Sequence, residues 1–179
     1  MVKRKYLFIE GAKDTRNGNL RAGFGSLLEK MIKGNMPTIS MGEGKSQTID
    51  KFKNSNDSRL LCDLDAPEAK RESDLRKNGL LKSKKVVFYM IQEMEAWFIS
   101  QPEVLDRFYN EEISKKLKKK AASEYSEPDK ELQKLTKNTK KEAYHKVRHG
   151  AQLLTFLDAD KLYKDFPDFK RLIDQLKAS

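Results

Sequence analysis

The chain has 179 residues, with 37 Lys and Arg against 27 Asp and Glu, a formal charge of +10. That length suits one domain with a real core rather than two, and the excess charge makes an anionic partner plausible without naming it. The 9 Phe, 6 Tyr and one Trp exclude a solvating tail, and the single Cys excludes an internal disulfide or a multi-Cys zinc site.

In chain order, Met1-Val2-Lys3-Arg4-Lys5 precedes four apolar residues, too few for a signal-peptide core. No apolar run approaches the roughly 18 residues of a membrane span, so the expected location is cytoplasmic, with no membrane partner. Tyr6-Leu7-Phe8-Ile9 reads as a strand ending at Glu10-Gly11. Leu20, Phe24, Leu27, Leu28, Met31 and Ile32 follow helical spacing, with Gly34 as the stop. Thr38-Ile39-Ser40-Met41 is a weaker strand, and Ile49 and Phe52 suggest a short helix after Gly44. Leu60-Leu61-Cys62 reads as the third strand, ending in Asp63-Leu64-Asp65. Residues 66–80 are polar, a helix or a loop. Val86–Ile91 reads as the fourth strand, ending near Glu93 and Glu95. Strands that are short, apolar throughout and alternate with helices predict an α/β fold with a mostly parallel sheet of about four strands flanked by helices.

Beyond residue 94 the pattern turns helical. Trp97, Phe98, Val104, Leu105 and Phe108 form an apolar stripe broken at Pro102, and Trp97 and Phe98 are assigned to the core. Residues 113–131, with the run Lys115-Lys116-Leu117-Lys118-Lys119-Lys120, read as an exposed connection. Helices are expected over 129–137 and 145–157, and Asp168 is expected to cap a last helix carrying Phe169, Leu172, Ile173 and Leu176. The chain thus divides into an α/β core over 1–99 and a helical, basic extension over 100–179 packed on it. From Ile113 to His149 there are twelve Lys and Arg against five Asp and Glu, so much of the positive charge follows the sheet.

Carboxylates gather where a parallel sheet collects ligands, at the carboxyl ends of its strands. Glu10 ends the first strand and Asp14 follows it; Asp63 and Asp65 end the third and, at strand spacing i, i+2, are expected on one side. Glu68 lies beyond them, and Glu93 and Glu95 follow the fourth strand. Acids converging on one edge repel, and a hard divalent cation, Mg2+ or Mn2+, relieves that repulsion. The alternative is that strands simply end in polar residues that cap the next helix.

Ile9-Glu10-Gly11-Ala12-Lys13-Asp14 resembles the Glu-Gly-x-x-Asp first motif of the Toprim fold, and Leu61-Cys62-Asp63-Leu64-Asp65 its Asp-x-Asp second motif. That fold serves topoisomerases, primases and overcoming-lysogenisation-defect (OLD) nucleases. Met90–Phe98, with its Met94-Glu95-Ala96-Trp97-Phe98 core, and Thr139–His149, with Tyr144-His145-Lys146-Val147-Arg148-His149, resemble a small bacterial Toprim-like family. The resemblance implies a metal-dependent nuclease or related phosphodiester-transfer enzyme acting on DNA or RNA. It also implies an AAA- or ABC-type ATPase partner in anti-phage defence. Asp14, Asp63, Asp65 and Glu95, with Glu93 as the substitute for Glu95, would bind the ion, and Glu10 would bind metal or act as general base. The Ser-x-Glu spelling of the further OLD-type carboxylate element is absent, which leaves one or two ions open. A non-catalytic module that holds nucleic acid or docks to an ATPase is the competing reading.

His145 and His149 are i, i+4, so one helix face would carry both. Glu142 stands on the wrong side for a His-Glu-x-x-His zinc helix. Either this is a solvated basic helix, or an imidazole packed against Tyr144 with one hydrogen bond, or Lys140, Lys141, Lys146 and Arg148 contact phosphate and His145 or His149 donates a proton. Cys62, between an apolar strand and Asp63, is expected to be buried and inert. Gly42-Glu43-Gly44-Lys45-Ser46 lacks the Gly-x-x-x-x-Gly-Lys spacing of a nucleotide-hydrolysing phosphate loop.

Overall fold

The computed structural model describes residues 5–178, and the basic start Met1–Arg4 lies outside the described residues. The order is β1 (Tyr6–Ile9), α1 (Leu20–Glu29), β2 (Thr38–Met41), α2 (Lys45–Lys53), β3 (Ser58–Asp63), α3 (Arg71–Lys77), β4 (Val87–Met90), α4 (Glu95–Ile99), α5 (Pro102–Tyr109), α6 (Pro128–Thr136), α7 (Arg148–Phe156), α8 (Ala159–Asp165) and α9 (Pro167–Lys177). The protein is α/β: one four-stranded sheet, order β2-β1-β3-β4, with every pairing parallel.

Both faces of the sheet are covered, which is why Tyr6–Ile9, Leu60–Cys62 and Val87–Met90 are apolar throughout, whereas the border strand β2 carries Thr38 and Ser40. Leu7, Ile9, Leu61, Phe88 and Met90 point into one core with Phe24, Leu27 and Leu28 of α1 and the C-terminal helices. The intervening Phe8, Leu60, Cys62, Val87 and Tyr89 point into the other, against Ile49 and Phe52 of α2 and Leu75 of α3. The period of two in a strand does this sorting. The first core runs on through Val104, Leu105, Leu153, Leu154, Leu172 and Leu176, so the C-terminal half shares the core of the sheet. Trp97 is buried there, edge-on to Phe24, Phe166 and Phe169. Cys62 is fully buried, and burial pushes its thiol well up, as befits a packing residue.

Three expectations need correction. Residues 113–131 are not simply exposed: Ile113 and Tyr125 are buried under the short turns 113–116 and 122–124, each plugging the first core. The last helix is preceded by Phe166 and starts at Pro167, whose missing N–H costs nothing there. Asp168 is therefore no cap. It is buried, accepts the Tyr89 N–H at 2.7 Å, and pairs with Arg71 and Arg171 at 2.7 and 2.6 Å. The helix expected from residue 145 starts at Arg148, so His145 and Lys146 lie in the turn before it.

Helices α1 and α7 pack closely because α1 presents glycine. A Cβ on Gly23 would lie 2.6 Å from the Ala151 carbonyl oxygen, which is backbone and cannot turn away, whereas one on Gly25 would meet only Ile39 Cδ1 at 3.8 Å. The two sites should respond oppositely to the same change. Gly25→Ala should stabilise by about 0.5–1 kcal/mol through helix propensity. Gly23→Ala should destabilise by about 1–3 kcal/mol through overpacking. Urea unfolding of the two variants beside the parent checks both signs.

Candidate metal centre

The strand order places the site. From β1 the chain crosses to β2 on one side, and the next strand, β3, pairs on the other side of β1. The carboxyl ends of β1 and β3 therefore flank the point where the crossovers diverge, the usual ligand crevice of such sheets. Glu10 and Asp63 stand at these two ends. The backbone N–H of Asp63 donates to Glu10 Oε2 at 3.0 Å, and Glu10 N–H donates to the Leu61 carbonyl.

Asp63 is 3 % exposed. Two residues after Leu61, it falls on the face covered by α1 and α7. Its Oδ1 accepts the Met94 N–H at 2.7 Å and its Oδ2 accepts Lys146 Nζ at 2.9 Å. Glu95 opens α4 and is fully buried. Tyr144 donates its hydroxyl to Glu95 Oε1 at 2.7 Å. Glu95 Oε2 is buried without a hydrogen-bond partner, 3.6 Å from Lys146 Nζ. Glu93 accepts the Asp129 N–H at 3.1 Å.

Asp65 departs from the strand alternation. It has φ 57° and turns the chain off the sheet, as does Gln92 at φ 59° beyond β4. The two turns are tied together, Asp65 N–H to the Gln92 carbonyl at 2.7 Å and Gln92 N–H to the Ala66 carbonyl at 3.1 Å. Non-glycine residues are held in this conformation only by surroundings that fix it. Asp65 consequently pairs with Lys45 Nζ at 3.3 Å while Asp63 pairs with Lys146, so the expected common side is not kept. Asp65 remains close enough to act electrostatically on Glu10.

Asp14 is not drawn in. It is exposed, and its carboxylate is turned to Arg16 at 2.5 Å. Glu68 pairs with Arg71 instead. His149 is buried among Phe108, Tyr109 and Tyr144. Its Nδ1 accepts the His145 N–H at 3.1 Å, and burial together with Arg148 holds its pKa below the usual 6.5. A ring packed among aromatics and bonded to backbone in this way braces the turn, which matches the packed-imidazole reading of this segment. His145 is exposed, and its Nδ1 accepts the Arg148 N–H. Lys140, Lys141 and Arg148 are exposed, Lys141 lying 5.0 Å over the Phe108 ring and Arg148 paired with Glu142. Lys146 is the expected phosphate contact that the structure sends elsewhere, into the carboxylate cluster.

Two contributors escaped the sequence reading. Lys45, at the start of α2, joins Asp65 to Asp74 (3.1 Å to Asp74). Gly42 lets α2 start there, since a Cβ would sit 2.0 Å from Thr48 Oγ1. The glycine-flanked lysine between a strand and a helix was the available signal. Tyr144 was visible only as a motif letter; nothing local links it to a carboxylate 49 positions away.

Five carboxyl groups, of Glu10, Asp63, Asp65, Glu93 and Glu95, thus face the ammonium groups of Lys45 and Lys146. Burial, then the charges of Asp63 and Asp65, push Glu10 up to about 7. Burial likewise pushes Glu93 and Glu95 up to about 7, against the lowering pull of Lys146. Asp63 is raised by burial against the same pull. For Lys146, burial pulls its pKa down, but Asp63 and Glu95 outweigh it and raise the net value. As the side chains stand, no three His, Cys, Asp or Glu among the described residues are arranged to hold a metal; Lys146 supplies the counter-charge. In donor type and charge the set does fit a hard divalent ion, and the buried, unbonded Glu95 Oε2 is an oxygen lacking a full partner.

The raised Glu10 value sets a pH dependence. Between its ordinary 4.5 and about 7, the unfolded chain has lost a proton that the folded chain keeps, so this group's stabilising contribution declines as pH rises through that window. Glu10→Gln keeps an oxygen for the Asp63 N–H and removes the charge. It should melt with the parent at pH 4.5 and above it at pH 8, measured by thermal denaturation across the range.

Among the described residues no helix is long and apolar enough to cross a membrane. Comparisons with curated proteins and with solved structures gave no match. A family model, described as Domain of unknown function (DUF4276), matches residues 29–177, which takes in Asp63, Glu95 and Lys146 and begins after Glu10, so the chain belongs to that family.

Proposed function

We propose that the protein is a Mg2+- or Mn2+-dependent nuclease, or a related phosphodiester-transfer enzyme, of Toprim-like type. The observation that carries this reading is the gathering of Glu10 and Asp63, at the ends of β1 and β3, and of Glu95, at the start of α4, with more carboxylate than counter-charge. Such an arrangement costs stability, and groups held at that cost mark functional sites. The parallel four-stranded sheet is compatible with the Toprim-like motifs around Glu10 and Asp63.

In this reading Asp63, Asp65 and Glu95 would hold the ion, which would supply phosphate neutralisation and a more acidic water. Glu10 would either join the ligand set or, with its carboxyl pushed up to about 7, take a proton from an attacking water. Exposed Lys140, Lys141 and Arg148 position the phosphate backbone without reading sequence, so DNA and RNA are both admissible. Exposed His145 is the candidate proton donor to the leaving oxygen. An ATPase partner and a cytoplasmic setting belong to the same reading.

A second reading draws on Lys146. Because its ammonium already answers Asp63 and Glu95, the chain would serve as a non-catalytic module that binds nucleic acid or docks to an ATPase. Cleavage of labelled DNA and RNA with Mn2+ decides. The wild type should cut, and Glu10→Gln and Asp63→Asn should each lose about 100-fold or more in rate. Equal cleavage by all three would mark a contaminant, and no cleavage with or without the ATPase favours the module.

A further inference from the structure

Lys146 occupies an unusual position for a lysine in a basic segment. Its ammonium lies 2.9 Å from Asp63 Oδ2 and 3.6 Å from Glu95 Oε2, and it acts on Glu93 as well. Both carboxylates are essentially buried, while the Lys146 side chain is 43 % exposed. One end of the lysine is therefore engaged at the bottom of the site while its stem borders solvent.

The backbone that carries it is fixed independently. Tyr144 N–H donates to Thr136 Oγ1 at 2.7 Å, its hydroxyl holds Glu95, and the His145 N–H is held by His149 Nδ1. Arg148 pairs with Glu142 at 3.0 Å, on the other side of the turn. Gly18 makes room for the turn: a Cβ there would lie 2.8 Å from the Val147 carbonyl oxygen. The Lys146 head can leave without any of these contacts breaking, because a four-carbon stem of rotatable bonds separates it from the anchored backbone.

We propose that Lys146 is a built-in counter-ion that a divalent cation displaces: ion entry between Asp63 and Glu95 expels the ammonium, which then turns outward to meet phosphate. This inference rests on the reading of the site as a metal centre. Charge drives the exchange. An ammonium brings one positive charge to the two carboxylates and a divalent ion brings two, while ammonium and ion at contact distance repel each other. The displaced lysine would stand beside the exposed Arg148 in the same turn. The site would thus be held together by its own lysine when no ion is present, and the lysine would be offered to a polyanion only when the ion is in place.

The test is Mn2+ binding by calorimetry on the full chain, without nucleic acid, at pH 8.5. Lys146→Met, similar in length and uncharged, should bind Mn2+ about tenfold more tightly than the wild type. Lys146→Arg, which restores the charge, should bind no more tightly than the wild type. A folded Lys146→Met that binds equally or more weakly overturns the inference while leaving the metal reading intact. Absence of binding by wild type and variant alike overturns both. Should Lys146→Met fail to fold, amine labelling of the wild type read by mass spectrometry decides. Saturating Mn2+ should raise modification of Lys146 several-fold and leave exposed Lys33 and Lys82 unchanged; an unchanged Lys146 overturns the proposal.

Discussion

The last rung between β1 and β3 is made by a side chain. Parallel pairing carries the two strands side by side to Ile9 and Leu61, and there the Glu10 carboxylate takes the Asp63 backbone N–H. A carboxylate used this way is held at the crevice, and its charge is set against that of Asp63. Much of the chemistry of the site follows from this contact. Glu10 is raised because it is held and crowded, Asp63 must find its own counter-charge elsewhere, and that counter-charge is Lys146.

Holding like charges in a crevice requires rigid surroundings, and the C-terminal half supplies them. Met94 donates its N–H to Asp63, Asp129 donates its N–H to Glu93, and Tyr144 donates its hydroxyl to Glu95. Met94 and Tyr144 are themselves buried in the first core, and Asp129 follows the buried Pro128. The basic extension is therefore a scaffold for acids as much as a surface for anions. The positive charge of the chain divides accordingly, with Lys146 turned inward and Lys140, Lys141 and Arg148 left at the surface.

What the sequence made legible follows the range of the interaction concerned. The runs Tyr6–Ile9 and Val86–Ile91 are readable because a doubly covered parallel strand has to be apolar at every position. The carboxylates at strand ends are readable because they sit within two or three residues of those runs. Asp65 was misplaced because alternation holds only while the chain stays extended, and a φ of 57° ends it. The readings of His149 stayed open because two histidines four apart say nothing of whether the helix, which here starts at Arg148, includes the first. Asp168 looked like a cap because it stands at a helix start, but its partners are Arg71, 97 positions away, and Tyr89, 79 away. Lys146 pairs with Asp63 across 83 positions. No local pattern encodes such pairs; they come into being only when the two cores form.

Asp168 has one more consequence. β4 is an edge strand, with unpaired backbone groups on its outer side. Asp168 accepts the Tyr89 N–H on that side, and α9 lies against the strand, with Arg171 5.0 Å over the Phe88 ring. A covered edge offers no template to another strand. The opposite border is β2, four residues long and preceded by Pro37. The last helix thus acts as a hem that finishes one border of the fabric.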